Sequence, residues 1–151
     1  NIDRFRELGE SLLKNHQVEL IILSYPGRAN EANQLAERFD GNVKNFADEF
    51  DLGGLLNALP HCSLLVSNDG AVTHLASHLG LPTVALFGPG DPVTTRPLGR
   101  QHIVLSQHLD CSPCNQPSCP LDHHRCMEEL TVERVYEAVT ASLQPQPTTS
   151  A

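Results

Sequence analysis

The sequence predicts an α/β fold in which a parallel β-sheet is covered by helices on both faces. Three observations support this prediction. Short apolar segments typical of buried strands alternate along the chain with segments whose apolar residues recur at helical spacing. Strands joined through helices form βαβ units, and such units build parallel sheets. The 151 residues are 40% hydrophobic and 19% charged, which is the composition of a globular domain and not of a disordered chain.

The elements of the first sixty residues are bounded by glycine and proline. In chain order they are predicted as helix 3–16, strand 18–23, helix 31–39, strand 43–46 and helix 52–59. Asp3 is expected to cap the first helix, and Pro26 and Gly27 to end the first strand. Pro60 ends the third helix, whose helical propensity is lowered by the pair Gly53-Gly54.

From residue 63 onward the pattern predicts further elements and a long irregular segment. The elements are strand 63–67, helix 71–79, strand 82–87, strand 103–105 and helix 131–143, the last with Thr131 as its cap. Residues 88–99 and 110–126 are expected to be loops because they are rich in proline, glycine and cysteine. We expect one domain over residues 1–143, with a cysteine-rich loop at 110–127 and a disordered tail at 144–151.

The charge balance excludes two classes of partner. Ten Lys and Arg against eighteen Asp and Glu give a formal net charge of −8. A protein that binds nucleic acid or anionic lipid through its overall charge would be basic, so neither is expected as a partner. No apolar run approaches the roughly 18 residues of a membrane-spanning helix. The chain begins with Asn and not Met, and we expect it to be part of a larger protein.

The strongest functional signal is the junction between strand 63–67 and helix 71–79, with the sequence SNDGAVTH at 67–74. Ligands of open parallel sheets bind beyond the carboxyl ends of strands. A helix N-terminus there offers unpaired N–H groups and a partial positive charge, which suit a phosphate or diphosphate. Gly70 lets a ligand approach the backbone, and Asp69 either caps the helix or accepts a hydrogen bond from a sugar hydroxyl. His74 lies on an exposed face with Ala71 and His78, where it could contact the anion.

Simpler interpretations of this junction are also open. Residues 68–70 could form a capped turn that binds nothing, and the helix is expected to bury Val72, Leu75, Ala76 and Leu79. His74 and His78 are four residues apart, as metal ligands on a helix can be, but the sequence shows no third ligand. A dinucleotide dehydrogenase or a nucleoside triphosphatase is not supported, because neither a G-x-G-x-x-G motif nor a P-loop lysine is present.

Four cysteines lie close together near the carboxyl terminus, in the order Cys111-x2-Cys114-x4-Cys119-x6-Cys126. A structural zinc site is one interpretation, since zinc is bound by four thiolates and often by a C-x2-C pair. Reduced cysteines without a metal and disulfides are the alternatives, although a cytosolic setting disfavours disulfides in the cell. Cys62 is expected to pack in the core and not to act as a reactive thiol.

The stretch SNDGAVTHLASHLGLPTVALFGPGDPVTTRPLG resembles the characteristic motif of glycosyltransferase family 9, the lipopolysaccharide heptosyltransferases. The resemblance continues through CSPC, CPLDHHRCM and LTVERVYEAV, and so covers nearly the whole chain. It implies a Rossmann-like domain, the carboxyl-terminal half of a two-domain GT-B glycosyltransferase, which holds the nucleotide-sugar donor.

The resemblance also implies roles for six residues. Asp69 and His74 match the aspartate and histidine of the motif, and the backbone amides of Gly70 and Ala71 would meet the donor diphosphate. Family members often have glycine at the position of Ala71, where a positive φ would be strained for alanine. The two remaining residues match more weakly: Glu31 falls near the donor ribose, and Phe50 falls beside the adenine.

The expected activity is inverting transfer of heptose from ADP-heptose to the inner core of lipopolysaccharide, without a required cofactor. The resemblance implies that the family's catalytic base lies in the amino-terminal domain and that its basic phosphate-binding loop lies just upstream of Asn1. This chain alone is therefore expected to bind donor at best and not to catalyse. The enzyme is expected in the cytoplasm, where it would meet its acceptor at the face of the inner membrane. Two alternatives remain. One is a freestanding nucleotide- or phosphosugar-binding module without catalysis, and the other is an interaction domain stabilised by a metal bound to its cysteines. Donor binding would exclude the interaction domain.

Overall fold

The computed structural model of the chain describes residues 2–24, 27 and 29–143. Pro26, expected to help end the first strand, and the predicted tail at 144–151 lie outside the described residues. Within them, helices and strands follow one another in the predicted order, and the strands pair in parallel, which confirms the α/β class. The chain divides into two compact units, one up to Ala58 and one from Leu59, and each is described by itself.

The first unit is built around a two-stranded parallel sheet. Its elements are α1 (Ile2–Asn15), β1 (Leu20–Leu23), α2 (Ala29–Ala36), β2 (Val43–Phe46) and α3 (Leu52–Ala58). Leu20 pairs with Val43 and Leu23 with Phe46, so the carboxyl ends of β1 and β2 lie side by side. The prediction that Asp3 caps α1 was wrong. The helix begins one residue earlier, and the Asp3 carboxylate in its first turn instead pairs with Arg38.

The second unit is built around a three-stranded parallel sheet with β4 in the centre. After a 3₁₀ turn at Leu59–His61, its elements are β3 (Leu65–Asn68), α4 (Ala71–His78), β4 (Thr83–Phe87), α5 (Pro92–Thr95), β5 (His102–Ser106), α6 (Arg125–Glu128) and α7 (Val132–Leu143). All five residues of β4 are buried, as expected for a strand with a neighbour on each side and elements on both faces. Phe87 and Val84 are fully buried and form the centre of this unit's core.

The buried face of α4 overlaps the predicted one only in part. Ala76 is buried as predicted, Val72 and Leu75 are half-buried, and Leu79 is 38% exposed. Thr73 and Ser77, whose burial was not predicted, complete the buried face. The hydroxyl groups can be buried because each donates a hydrogen bond to a carbonyl: Thr73 to Asn68 at 2.8 Å and Ser77 to Leu98 at 2.8 Å. Because the side chains on this face are small, α4 can pack close to β3 and β4. The predicted outer face is confirmed, since its members are all exposed: Ala71, His74 and His78.

Two short helices lie where loops were predicted. Helix α5 begins after Asp91, whose Oδ1 accepts a hydrogen bond from the N–H of Val93 at 2.9 Å, and Pro92 occupies its first position. Helix α6 overlaps the end of the cysteine-rich segment and contains Cys126. The predicted cap of α7 is confirmed, because Thr131 Oγ1 accepts from the N–H of Arg134 at 3.3 Å. Among the described residues, none of the helices is long and apolar enough to span a membrane.

Candidate functional site

The second unit gathers three connecting segments at one edge of its sheet. Because β3, β4 and β5 run parallel, their last residues Asn68, Phe87 and Ser106 lie at the same edge. We call residues 68–74 the Asp69 junction, residues 88–91 the Gly90 loop and residues 110–127 the Cys-rich loop. The carboxyl edge of an open parallel sheet is where ligands bind in such folds, so these segments form the candidate site.

The start of α4 is held by backbone contacts and has no side-chain cap. The N–H of Asp69 donates to the carbonyl of Leu86 at 2.9 Å, which extends the pairing of β3 with β4 by one residue. The N-cap is Gly70, so of the two roles considered for Asp69, capping of the helix is excluded. The N–H groups of Thr73 and His74 donate to the Gly70 carbonyl at 3.1 and 3.4 Å. The N–H groups of Ala71 and Val72 and the positive end of the helix dipole therefore remain available to an anion.

The two residues expected to meet a diphosphate through their backbone lie at this helix start. Gly70 is extended, with φ of 169°, and a Cβ built on it would meet only the Asn68 carbonyl at 3.9 Å. The space beside Gly70 is therefore open. Ala71 is the first residue of α4 and does not have a positive φ, so the strain that alanine would suffer there does not arise.

Asp69 and His74 are neighbours across the first turn of α4. The Asp69 Oδ1 and His74 Nε2 atoms are 4.0 Å apart, and the two side chains are 27% and 48% exposed. An ion pair this exposed contributes little to stability, because water screens the attraction. The pair is accessible from solvent, and its histidine stands one turn from the unsatisfied N–H groups.

The Gly90 loop contacts the Asp69 carboxylate, a feature that the sequence interpretation missed. A Cβ built on Gly90 would overlap Asp69 Oδ2. Only glycine leaves room for the carboxylate in this position. The signal was present in the sequence as the run GPGDP directly after a buried strand, at the edge where ligands bind.

The other two candidate residues, Glu31 and Phe50, belong to the first unit. Glu31 is exposed in the first turn of α2, beyond the end of β1. Phe50 lies beyond the end of β2 and is half-buried, with its ring centroid 5.4 Å from that of Phe46. A Cβ on Gly54 would lie 2.9 Å from the Phe50 ring, so this glycine in α3 allows the ring to pack on the helix. The structure thus brings four of the six candidates together at the Asp69 junction, and the assigned ligand roles of all six stay predictions.

The Cys-rich loop encloses a cavity of about 190 Å³ whose lining includes all four of its cysteines. The thiols are free and half-buried. Two hydrogen bonds attach the loop to the segment after β4: Ser112 Oγ donates to the Gly88 carbonyl at 3.0 Å, and the Asn115 N–H donates to the Pro89 carbonyl at 2.8 Å. The loop therefore lies beside the Gly90 loop at the same sheet edge.

The thiols of this unit differ in acidity. Hydrogen bonds from the backbone N–H groups of His124 and Leu121, with smaller effects from His123 and Asp122, lower the pKa of the Cys119 thiol. Burial raises the pKa of Cys126, and the neighbouring cysteines raise it further. Burial also raises the pKa of Cys62, which opposes formation of a reactive thiolate there.

Comparison with known proteins connects this geometry with a family. The family model described as glycosyltransferase family 9 (heptosyltransferase) matches residues 1–125. A lipooligosaccharide heptosyltransferase 2 of Campylobacter jejuni is 36% identical over 112 residues, which are 73% of this chain and 35% of that protein. A lipopolysaccharide heptosyltransferase 1 of Pseudomonas aeruginosa is 31% identical over 104 residues, 66% of this chain and 29% of that protein. The chain spans about a third of the length of these curated relatives.

Two solved structures share the fold. The Escherichia coli structure described as ADP-heptose lps heptosyltransferase II superposes with a TM-score of 0.78 at 22% identity, over 95% of this chain and 41% of that one. A glycosyl transferase family 9 structure from Veillonella parvula gives a TM-score of 0.79 at 21% identity, with the same coverage. At these identities the similarity establishes the fold.

Proposed function

The chain belongs to glycosyltransferase family 9, and on that premise we propose that it forms the donor-binding part of a heptosyltransferase. The donor is ADP-heptose, and the acceptor is the inner core of lipopolysaccharide. Support comes from the relatives, which are named as lipooligosaccharide and lipopolysaccharide heptosyltransferases. The transfer activity is that of the whole enzyme, of which this chain is one part.

The observation that carries the proposal is the uncapped start of α4 at the carboxyl edge of the sheet. The diphosphate of the donor binds there, against the N–H groups of Ala71 and its neighbours, in the open space beside Gly70. His74, exposed one turn into the helix, donates a hydrogen bond to a phosphate oxygen. Asp69, whose Oδ1 atom is 4.0 Å from His74 Nε2, orients the ring.

The reaction is an inverting displacement at the anomeric carbon of the heptose. The acceptor oxygen attacks this carbon from the side opposite ADP, and the bond from the carbon to the β-phosphate oxygen breaks with its electron pair left on the phosphate. The α4 N-terminus and a ring N–H of His74 stabilise the negative charge that develops on ADP, so no cofactor is required for this step. The proton of the acceptor hydroxyl passes to a carboxylate base, which we assign to the part of the enzyme outside this chain.

Glu31 and Phe50 extend the proposal to the nucleoside. The carboxylate of Glu31 accepts a hydrogen bond from a ribose hydroxyl, and the Phe50 ring packs beside the adenine. The acceptor is held at the cytoplasmic face of the inner membrane. This chain has a net charge of −8, so an anionic membrane surface would repel it. The remainder of the enzyme therefore makes the contact with the membrane.

The test is calorimetric titration of ADP and ADP-heptose into the wild-type chain and into two variants, His74→Ala and His78→Ala. His78 is a matched control, because it is exposed on the same face of α4 one turn further from the helix start. Loss of one charge-assisted hydrogen bond should weaken ADP binding by about tenfold in His74→Ala. The His78→Ala variant should bind within about twofold of wild type.

Titration with AMP tests the placement of the diphosphate. AMP lacks the β-phosphate, so it should bind more weakly than ADP. The His74→Ala substitution should also reduce the affinity for AMP less than it reduces the affinity for ADP. Equal effects of the two histidine substitutions would contradict the role of His74. Failure of the folded wild-type chain to bind ADP, in a titration repeated with a longer segment of the enzyme, would contradict the donor site itself.

A further inference from the structure

We propose that the Cys-rich loop is a structural binding site for a thiophilic divalent cation, zinc, with Cys111, Cys114, Cys119 and Cys126 as its four ligands. The proposal goes beyond donor binding and does not depend on it, because none of these residues belongs to the Asp69 junction. It chooses one of the three states that the sequence left open for these cysteines.

The first argument is convergence of the thiols. The four cysteines come from three different stretches of the loop, yet all of them line the one cavity of about 190 Å³. They are half-buried. Four sulfur ligands around a small cavity are the donor set that structural zinc takes, in preference to harder cations such as magnesium.

The second argument is the backbone of the loop, which turns tightly between the cysteines. The N–H of Asp122 donates to the Cys119 carbonyl at 3.3 Å. Three residues of the loop take positive φ without being glycine: Asn115 at 52°, Asp122 at 54° and His124 at 47°. Asn115 directly follows the C-x2-C pair, and the other two lie between Cys119 and Cys126, so each turn redirects the chain between thiols that line the cavity.

The third argument concerns His123, which lies beside the thiols but is not assigned as a ligand. Its Nδ1 accepts a hydrogen bond from the Arg125 N–H at 3.0 Å, so a neutral ring carries its proton on Nε2. That Nε2 atom is 3.9 Å from Cys111 Sγ. In this tautomer His123 is an N–H donor towards the sulfur, which orients the thiolate from outside the metal coordination. The ligand set is therefore four cysteines and not three cysteines with a histidine.

Binding must draw the thiols closer together. Within the described residues, no three His, Cys, Asp or Glu side chains already have the mutual geometry of a metal site. Each thiol that binds zinc gives up its proton to the solvent, and the side chains turn towards one point in the cavity. We therefore expect the cation to order the loop, which has no helix or strand between β5 and α6 and would be long for an unsupported connection.

The experiment is titration of the fully reduced 151-residue chain with Co²⁺ and then Zn²⁺, after the free thiols have been counted with a chromogenic disulfide. Co²⁺ reports its ligands, since tetrahedral thiolate coordination gives intense visible bands and sulfur-to-cobalt charge-transfer bands. We expect one equivalent to bind, zinc to displace it, and the loop to become resistant to limited proteolysis. The Cys114→Ser and Cys119→Ser variants should bind at least about tenfold more weakly, whereas Cys62→Ser should bind as wild type does.

Two further variants keep the proposal falsifiable if a serine variant fails to fold. Cys119→His offers zinc a nitrogen ligand, so it should still bind cobalt but with weaker charge-transfer bands. His123→Ala should retain the bands of four thiolates with reduced affinity. The proposal is overturned if the reduced chain takes up neither cation, if Cys62→Ser abolishes uptake, or if His123→Ala changes the number of bound ligands.

Discussion

The Asp69 junction and the Cys-rich loop lie at the same edge of the same sheet, but they offer a ligand different groups. At the junction, α4 starts without a side-chain cap, and the space beside Gly70 is open. In the loop, four thiols line one cavity. Backbone N–H groups at a helix start suit an external anion, whereas clustered thiols suit a bound metal.

The two regions also differ in what holds their shape. The junction continues the regular pairing of β3 with β4 and leads into an eight-residue helix. The Cys-rich loop depends on isolated turns and on two hydrogen bonds to Gly88 and Pro89. A junction supported by a sheet can be rigid by itself. A loop supported by so few contacts gains more from a bound metal, because binding energy then adds directly to its stability.

The largest expected effect comes from the support that the two regions share. Phe87 is fully buried at the end of β4, directly before the segment to which both regions attach. Replacing Phe87 by alanine should lower the free energy of unfolding of the second unit by about 3–5 kcal/mol, as expected for a large cavity in a core. Hydrogen exchange should show that the Asp69 junction and the Cys-rich loop lose protection together.

An exposed apolar residue of the same unit serves as the control for this cavity. Val93 in α5 is 85% exposed, so Val93→Ala should change stability by no more than about 0.5 kcal/mol. If Phe87→Ala releases the Cys-rich loop while protection of the junction is unchanged, the idea of a common support at the end of β4 is wrong.

The difference between the regions also determined what the sequence could predict. The elements around the junction follow from periodicity, because a buried run, a glycine and an amphipathic helix each have local signals. Burial of Ala76 in α4 was predicted from this spacing, but burial of Thr73 and Ser77 could not be, since it depends on carbonyl acceptors supplied by Asn68 and Leu98. Hydrophobic spacing alone assigns such hydroxyl-bearing positions to the surface.

Contacts between segments that are distant in sequence also could not be predicted. The approach of Gly90 to Asp69 joins two loops, and only the register of β3 with β4 brings them together. The gathering of the cysteines around one cavity depends likewise on turns at Asn115, Asp122 and His124. Asparagine and aspartate tolerate positive φ, but they do so at few of their positions, so composition does not locate these turns.

A smaller effect, confined to the junction, is expected from Gly90→Ala. The added methyl group would overlap the Asp69 carboxylate, which must then move away from His74. If donor binding needs this pair, ADP affinity should fall by about tenfold, measured by calorimetry. The metal affinity of the Cys-rich loop should not change.

A double-mutant cycle separates this indirect effect from direct contact of Gly90 with the ligand. In the Asp69→Ala background no carboxylate remains to be displaced, so adding Gly90→Ala should weaken ADP binding by less than about twofold. An additional tenfold loss in that background would mean that Gly90 itself lies against the nucleotide.

The smallest expected effect concerns one turn of the Cys-rich loop. Asn115 has a φ of 52°, and its N–H donates to the Pro89 carbonyl in a bond that no substitution except proline would remove. Alanine is disfavoured in this conformation more than asparagine, whereas glycine adopts it freely. Asn115→Ala should therefore destabilise the metal-free second unit by about 1 kcal/mol in urea unfolding, and Asn115→Gly should be nearly neutral. Equal losses in the two variants would show that the asparagine side chain, and not its backbone conformation, supports the loop. Such a result would weaken the contrast with the junction, because the loop would then be held by side-chain contacts and not by its backbone turns.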